Sequence, residues 1–296
     1  MKLWLSFFFM IIVLFSCTKK DQTESKTEQI ATDYQTVKIK PFPVAVQCWT
    51  FRKFTFFETL QKIKDLGIQY VEAYPGQPLS SDLPDVRLDH NLSDDQLQMV
   101  KNKLNEMGIT LVNYGVVDLG RDEASMTKVF EFAKKMGITT IMAEPEFEDF
   151  PLVEKLVRKY DIKVAIHNHP QPSRYALPDT VLKYVKNLDQ RIGSCADTGH
   201  WLRSGVVPVE GLRLLKGRIL STHLKDLNEF GVRDAYDVPF GQGVANIHDI
   251  LAELTLQNYQ GYLVVEHENE AEEMNPSPSI SKGLEYIKSI TFSEEK

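Results

Sequence analysis

The residues of this 296-residue chain best suited to chemistry are its histidines and the acids that recur beside them. Of seven histidines, five (His167, His169, His200, His223 and His267) fall at or just after short apolar, β-branched runs, and only His90 and His248 lie elsewhere. Glu144, Asp197, Glu266 and Glu268 sit at the same kind of position. Carboxylates converging on one spot repel one another and shift each other's pKa values, and a divalent cation resolves that conflict. The set read as metal-binding is Glu144, Asp197, His223 and Glu266, one from each of four runs. One nitrogen with three oxygens favours a single Mn²⁺, Mg²⁺ or Co²⁺ over a structural zinc, with zinc kept as an alternative. No local motif such as HExxH is present, so the reading rests on registration alone. Each residue has a plainer explanation. Glu144 could cap the loop before Pro145, Asp197 could cap the turn Asp-Thr-Gly-His, His223 could be a satisfied core histidine, and Glu266 a solvated charge.

The elements that must position these side chains follow one repeating pattern after Pro43. The β-branched runs are Val44–Trp49, Ile68–Ala73, Ile109–Tyr114, Ile138–Ala143, Lys163–Ile166, Ile192–Ala196, Arg218–Thr222 and Tyr262–Val265. Amphipathic helical stretches such as Phe57–Leu66, Asp94–Met107, Glu123–Met136, Pro151–Tyr160 and Ile247–Leu256 lie between them. Leu66-Gly67, Met107-Gly108 and Met136-Gly137 are helix stops, each followed by an Ile that opens the next strand. Ser93-Asp94-Asp95-Gln96 reads as a capping box. Eight such pairs over about 250 residues predict a single-domain α/β fold, the (β/α)8 or TIM barrel, over 43–292. An open doubly wound sheet would carry a Gly-rich loop after its first strand, and Cys48-Trp49-Thr50-Phe51-Arg52 is nothing of the kind. In a barrel the strand C-termini form the active-site face, where the chosen acids and histidines fall.

Net charge is −7 with a sequence pI near 5.6, and no basic stripe is present, so nucleic acid is excluded as a partner. A hydrophobic content of 43% supplies an ample core. Residues 1–16 read as a bacterial lipoprotein signal peptide: Lys2, an apolar stretch over Leu3–Phe15, then Leu14-Phe15-Ser16-Cys17. Cys17 is the expected lipidation site, although Phe15 is bulkier than that pattern prefers; the alternative is an ordinary signal peptide with an incidental cysteine. The polar segment 17–42 reads as a tether with too little apolar surface to order itself. Lys19 and Lys20 place the anchored protein in the periplasm, with the membrane met only through the lipid. Cys48 and Cys195 lie on strands distant in barrel order and are not expected to pair. A homo-oligomer is compatible with the sequence.

Six segments, Ala-Glu-Pro-Glu (143–146), Ile-His-Asn-His-Pro (166–170), Asp-Thr-Gly-His (197–200), Thr-His-Leu-Lys-Asp (222–226), Pro-Phe-Gly-Gln-Gly (239–243) and Val-Val-Glu-His-Glu (264–268), together resemble the xylose-isomerase-like sugar isomerase/epimerase superfamily. That group includes ketose 3-epimerases and inosose dehydratases, and the resemblance spans about 44 to 290. It implies Glu144, Asp197, His223 and Glu266 as metal ligands and His200 as a substrate contact. It also implies Glu144 and Glu266 as the catalytic pair, on opposite faces of a bound sugar, one removing a proton beside the carbonyl and the other returning it.

His167 and His169, two apart, share a face if the strand continues, and both are read as substrate contacts; otherwise His169 belongs to the loop. Lys225 is read as binding a substrate oxygen or as a surface lysine. Trp49, Phe51, Tyr74 and Tyr114 are candidates to stack on a sugar ring, with core packing as the alternative; Trp49 and Tyr114 are preferred. Gly241-Gln242-Gly243 is a weak phosphate signal and reads better as a chain reversal.

The expected activity is metal-dependent isomerisation or epimerisation through an enediolate, with a small sugar or keto-glycoside as substrate. The runner-up, a lyase or dehydratase, expels a β leaving group from the same intermediate, acting on keto-sugars or 3-keto-glycosides. A non-catalytic sugar-binding lipoprotein is a third reading, which the paired carboxylates oppose. An endonuclease of the related barrel type is opposed by the acidic charge.

Overall fold

The computed structural model describes residues 34–291. The expected signal peptide, lipidated Cys17 and most of the tether lie outside the described residues. Ile39 and Lys40, expected in the tether, instead pack on the barrel: Ile39 is buried, it bridges in parallel to Thr291, and Lys40 donates through Nζ to the Tyr259 carbonyl at 2.5 Å. The Lys40 ammonium also lies over the Phe42 ring, 5.0 Å from its centroid. Among the described residues, no helix is long and apolar enough to cross a membrane.

Eight parallel strands close into a barrel: β1 (Val44–Gln47), β2 (Tyr70–Ala73), β3 (Thr110–Val117), β4 (Thr140–Ala143), β5 (Lys163–His167), β6 (Ile192–Asp197), β7 (Ile219–Leu224) and β8 (Leu263–Val265). Each neighbours the next in sequence, and β8 pairs back onto β1. The outer layer comprises α1 (Phe56–Asp65), α2 (Asp94–Met107), α3 (Glu123–Met136), α4 (Phe150–Tyr160), α5 (Pro178–Val185), α6 (Thr198–Arg203), α7 (Pro208–Leu214), α8 (Ile247–Leu256) and α9 (Ser277–Ile290). The Ser93 hydroxyl and the Gln96 side chain form the reciprocal cap at the start of α2, and left-handed glycines, Gly108 and Gly137, end α2 and α3. Two antiparallel hairpins not foreseen from the pattern rise from the loops: Gln77–Ser80 with Leu83–Leu88 after β2, and Asp226–Leu227 with Asp237–Val238 after β7.

Strand parity decides what faces the barrel interior. Ala45, Val112 and Val264 pack as one inner group and Met142, Ala165 and Cys195 as another. Two residues onward from Ala45, Val264, Cys195 and Ala165 come Gln47, Glu266, Asp197 and His167. The registers Gln47 opposite Glu72, Glu72 opposite Asn113, and Asp197 opposite His223 complete a polar layer above the apolar one. Close approach is needed below it: a Cβ at Gly193 of β6 would lie 2.2 Å from the Arg218 carbonyl oxygen, so only glycine lets β7 pair there. Cys48 and Cys195 are buried and unbridged.

Candidate metal centre and substrate pocket

The polar layer converges on one point. A ligand atom from each of His167, Asp197, His223 and Glu266 lies within 4.8 Å of the others, and all four residues are buried. Asp197 divides its two oxygens between two tasks. Oδ1 caps α6 by accepting the His200 backbone N–H at 2.7 Å, and Oδ2 turns into the cluster. The capping reading of this residue therefore holds, and it leaves the second oxygen free to face the cluster. His223 donates from Nε2 to Glu72 Oε1 at 2.6 Å, which leaves Nδ1 facing Glu266 at 3.0 Å and Asp197 at 3.7 Å. Glu72 is held in turn by Gln47 (2.7 Å) and Asn113 (3.0 Å).

Asp197 Oδ2 and His223 Nδ1 are buried yet make no hydrogen bond. Orphaned polar atoms are costly in a dry interior, and two that face each other across a carboxylate define a place for a cation. Two imidazoles with two carboxylates is a donor set that Zn²⁺, Mn²⁺ or Co²⁺ accepts readily. The residues present thus fit a single divalent ion.

Lys225 is not a surface lysine. Its buried Nζ lies 2.9 Å from Asp197 Oδ2 and from Glu266 Oε2, and 2.5 Å from Glu268 Oε2, where it donates a hydrogen bond; the 2.9 Å approach to Asp197 lacks hydrogen-bond alignment. Burial alone would raise the carboxyls of Asp197 and Glu266. His200 and Lys225 nevertheless hold Asp197 well below the usual carboxylate range, and Lys225 and His223 do the same for Glu266. Burial would lower His223, but Cys195, Glu72 and Glu266 keep it well above the usual imidazole value. His200 is pushed well down, by burial first; its Nδ1 accepts from Arg203 at 3.0 Å, which puts its proton on Nε2.

The structure does not bring Glu144 to the cluster. The strand ends at Ala143, and the Glu144 carboxylate lies behind His167, which it meets at Nδ1 at 3.2 Å, and His169, with Ser173 also donating to it. Burial would raise Glu144, but the hydrogen bonds from the two histidines bring it down to about 2. His167 occupies the fourth position of the cluster instead, its Nε2 3.5 Å from Asp197 Oδ2.

A cavity of about 320 Å³ opens above, lined by His167, His169, His200, His223, Glu266 and Glu268 together with Gln47, Trp49 and Tyr74. Tyr114 is a correction. The register of β3 against β2 shifts at Val112, an extra residue opposite Val71 and Glu72, so Asn113 also points inward, to Glu72 and Ser221, and Tyr114 turns outward, where it packs on Phe132 of α3 at 4.8 Å and reaches His90 through its hydroxyl. His267, next to inward Glu266, likewise faces away and pairs with Glu272 at 2.8 Å. Phe51 is buried against Phe54 rather than in the cavity. The Gly241 and Gly243 amides are consumed by the Asp226 carboxylate, at 2.9 and 3.0 Å, so this loop is a chain reversal and no phosphate cradle. Sequence reasoning missed Glu72, Gln47 and Arg203 as site residues and gave Glu268, which it placed at a strand end, no role; Glu72 and Gln47 carry the signal already used elsewhere, a polar residue at the end of an apolar strand.

A carboxylate behind a metal-facing imidazole fixes its tautomer and raises its basicity. Glu72→Gln is therefore expected to lower Mn²⁺ or Co²⁺ affinity by about 10–100-fold, read by calorimetric titration, with the barrel's circular dichroism unchanged. Affinity within twofold of the parent would contradict this role for Glu72.

The sequence matches the family model for the xylose isomerase-like TIM barrel over residues 60–290. An inosose dehydratase of Mesomycoplasma hyopneumoniae (strain 7448) is 29% identical over 152 residues, 46% of this chain and 50% of that protein. The chain spans about half the length of the curated relatives it matches, or less in some cases. Among solved structures, an uncharacterized protein from Parabacteroides distasonis ATCC 8503 is 33% identical with a TM-score of 0.68, covering 84% of this chain and 99% of that one. A xylose isomerase-like barrel protein from Mycobacterium smegmatis in complex with magnesium superposes with a TM-score of 0.66 at 16% identity, over 84% of this chain and 96% of that one, a likeness of fold. A family match over this much of the sequence makes the chain a member of the xylose isomerase-like TIM barrel family.

Proposed function

We propose that the protein is a divalent-metal-dependent sugar isomerase or epimerase that removes and returns a proton beside a sugar carbonyl. The observation that carries this reading is the convergence of His167, Asp197, His223 and Glu266, three of which (His167, His223 and Glu266) line a cavity that also presents two aromatic rings, Trp49 and Tyr74. Asp197, His223 and Glu266 would hold the ion, with His167 as fourth ligand. Such an ion, when bound, supplies Lewis-acid polarisation of the carbonyl, which acidifies the neighbouring C–H.

The chain's own groups would handle the proton. Glu266 lines the cavity from β8. Glu144 follows β4, which stands four strands from β8 in either direction round the closed sheet, on the opposite side of the barrel. It reaches the cavity through His169, so the second proton group is an imidazole backed by a carboxylate. One of the two takes the proton, giving the enediolate, and the other returns a proton from the far side. His200, fixed by Arg203, and the Lys225 ammonium would orient substrate oxygens.

The similarity to inosose dehydratases favours a second reading in which the same carbanion expels a hydroxyl or alkoxide from the β carbon. The proton-abstraction step is common to both. We also take residues 1–16 as a lipoprotein signal peptide and Cys17 as the acylated residue of an extracytoplasmic, membrane-anchored protein; the Leu3–Phe15 apolar stretch supports this. Labelling with radioactive palmitate should mark the parent and fail for Cys17→Ala; equal labelling of both would remove the anchor from the account.

The catalytic proposal is tested by incubating the Mn²⁺-loaded protein with a panel of ketoses and 3-keto-glycosides in D2O and following exchange by NMR. Deuterium should enter beside the carbonyl, cease on chelation, and fall by at least about 100-fold in Glu266→Gln, the scale of a lost general base. Release of an aglycone instead of simple exchange would select the lyase outcome. Full turnover after verified metal removal would overturn the mechanism.

A further inference from the structure

The inner cavity is not the whole of the mouth. An outer chamber of about 680 Å³ shares Trp49, His200 and Glu268 with it, so the two adjoin across these side chains. Small-molecule sites run from roughly 300 to 1,000 Å³; the inner part stands at the bottom of that range and suits one sugar ring. The outer part is about twice as large and adds no side chain to the cation cluster.

The outer walls are built. Arg203, just after the Asp-Thr-Gly-His turn, donates to Asp237 (3.0 Å), the Ala235 carbonyl (3.1 Å) and Glu268 (3.4 Å), tying the hairpin after β7 to the β8 loop. Arg233 at the hairpin tip donates to the Gln171 carbonyl of the β5 loop, and Asn269 donates to the Asp237 carbonyl at 3.1 Å. The hairpin is thus held over the mouth from two sides. Large apolar side chains nonetheless stay exposed on this rim: Trp49 is 40% exposed, Phe230 48% and Tyr236 53%. Trp49 and Tyr236 both line the chamber, alongside guanidinium, carboxylate and amide groups from Arg52, Arg233, Asp234 and Asn269. An exposed aromatic face with hydrogen-bonding groups round it is the chemistry that grips a ring with an apolar face and polar edges.

We propose that the outer chamber is a second-ring subsite, so that the substrate is a glycoside whose reacting ring enters the inner cavity while its second ring, a sugar or an aromatic aglycone, lies against Trp49 and Tyr236. This rests on the sugar-converting reading of the inner site and narrows it from free sugars to glycosides. The linkage between the rings would then lie beside His200 and Glu268, which line both spaces.

The test compares matched probes on the Mn²⁺-loaded full chain by calorimetry and saturation-transfer NMR: a panel of monosaccharides, their disaccharides and their 4-nitrophenyl glycosides. Two-ring probes should bind at least tenfold more tightly than the matched single ring, and Tyr236→Ala should shrink that ratio below about twofold while melting temperature and Mn²⁺ affinity hold. A gain confined to disaccharides identifies a sugar as second ring, and one confined to nitrophenyl glycosides identifies an aglycone. Equal affinity of one- and two-ring probes, including no binding by either, overturns the subsite. Equal affinity with deuterium exchange intact sinks this inference alone, whereas a two-ring advantage without exchange or turnover sinks the catalytic reading alone.

Discussion

Everything at this mouth depends on the cost of burying carboxylates. Glu72, Asp197 and Glu266 are almost wholly removed from water, and Glu268 closes on the same lysine. Charges in that setting persist only when paired, because desolvation exceeds what a lone hydrogen bond returns. Lys225 supplies one compensating charge and is shared among three acids, while His223 bridges Glu72 and Glu266. The two atoms that remain without hydrogen bonds, Asp197 Oδ2 and His223 Nδ1, face the same point. A divalent ion there would satisfy both and relieve the demand on Lys225, freeing its ammonium for a substrate oxygen or for Glu268.

The barrel makes this crowding feasible because parity and register act together. An apolar layer fills the lower interior, and the next inward residues two positions on are Gln47, His167, Asp197 and Glu266, with Glu72, Asn113 and His223 opposite. Except for Glu266, one residue past β8, these groups stand on the strands themselves, and the pairing that closes the sheet brings them together. Loops then add what varies. The hairpin after β7 roofs the mouth, and Asp226 at its base holds the following loop through the amides of Gly241, Gly243 and Ala245.

The barrel and most of its helices were legible because glycine stops, caps and β-branched runs are local signals; Asp94–Met107, Glu123–Met136 and Ile247–Leu256 have the bounds the pattern predicts. Strand-end placement also singled out Asp197, His223 and Glu266, which the fold gathers. It could not separate neighbours one residue apart. Tyr114 and His267 fall at strand ends as well, yet parity turns each outward, and that parity shows only once Asn113 and Glu266 are known to point in. Glu144 and Glu266 each stand one residue past a strand end, but Glu266 keeps the ladder through its N–H to the Leu224 carbonyl, whereas the Glu144 carboxylate is taken up by His167 and His169, which stand between it and the cluster. Lys225 was ambiguous because its setting depends on acids from β6 and β8, and the two hairpins were hidden because short loop strands lack periodicity.

The central claim is that one cation is shared by side chains of β5, β6, β7 and β8. Anomalous diffraction from crystals of the Mn²⁺-loaded protein tests it most directly. The account predicts a single strong peak bonded to Asp197 Oδ2, His223 Nδ1 and Glu266, with Glu72 still hydrogen-bonded to His223 Nε2. A manganese peak elsewhere, or His223 bound through Nε2 with Glu72 released, would contradict it.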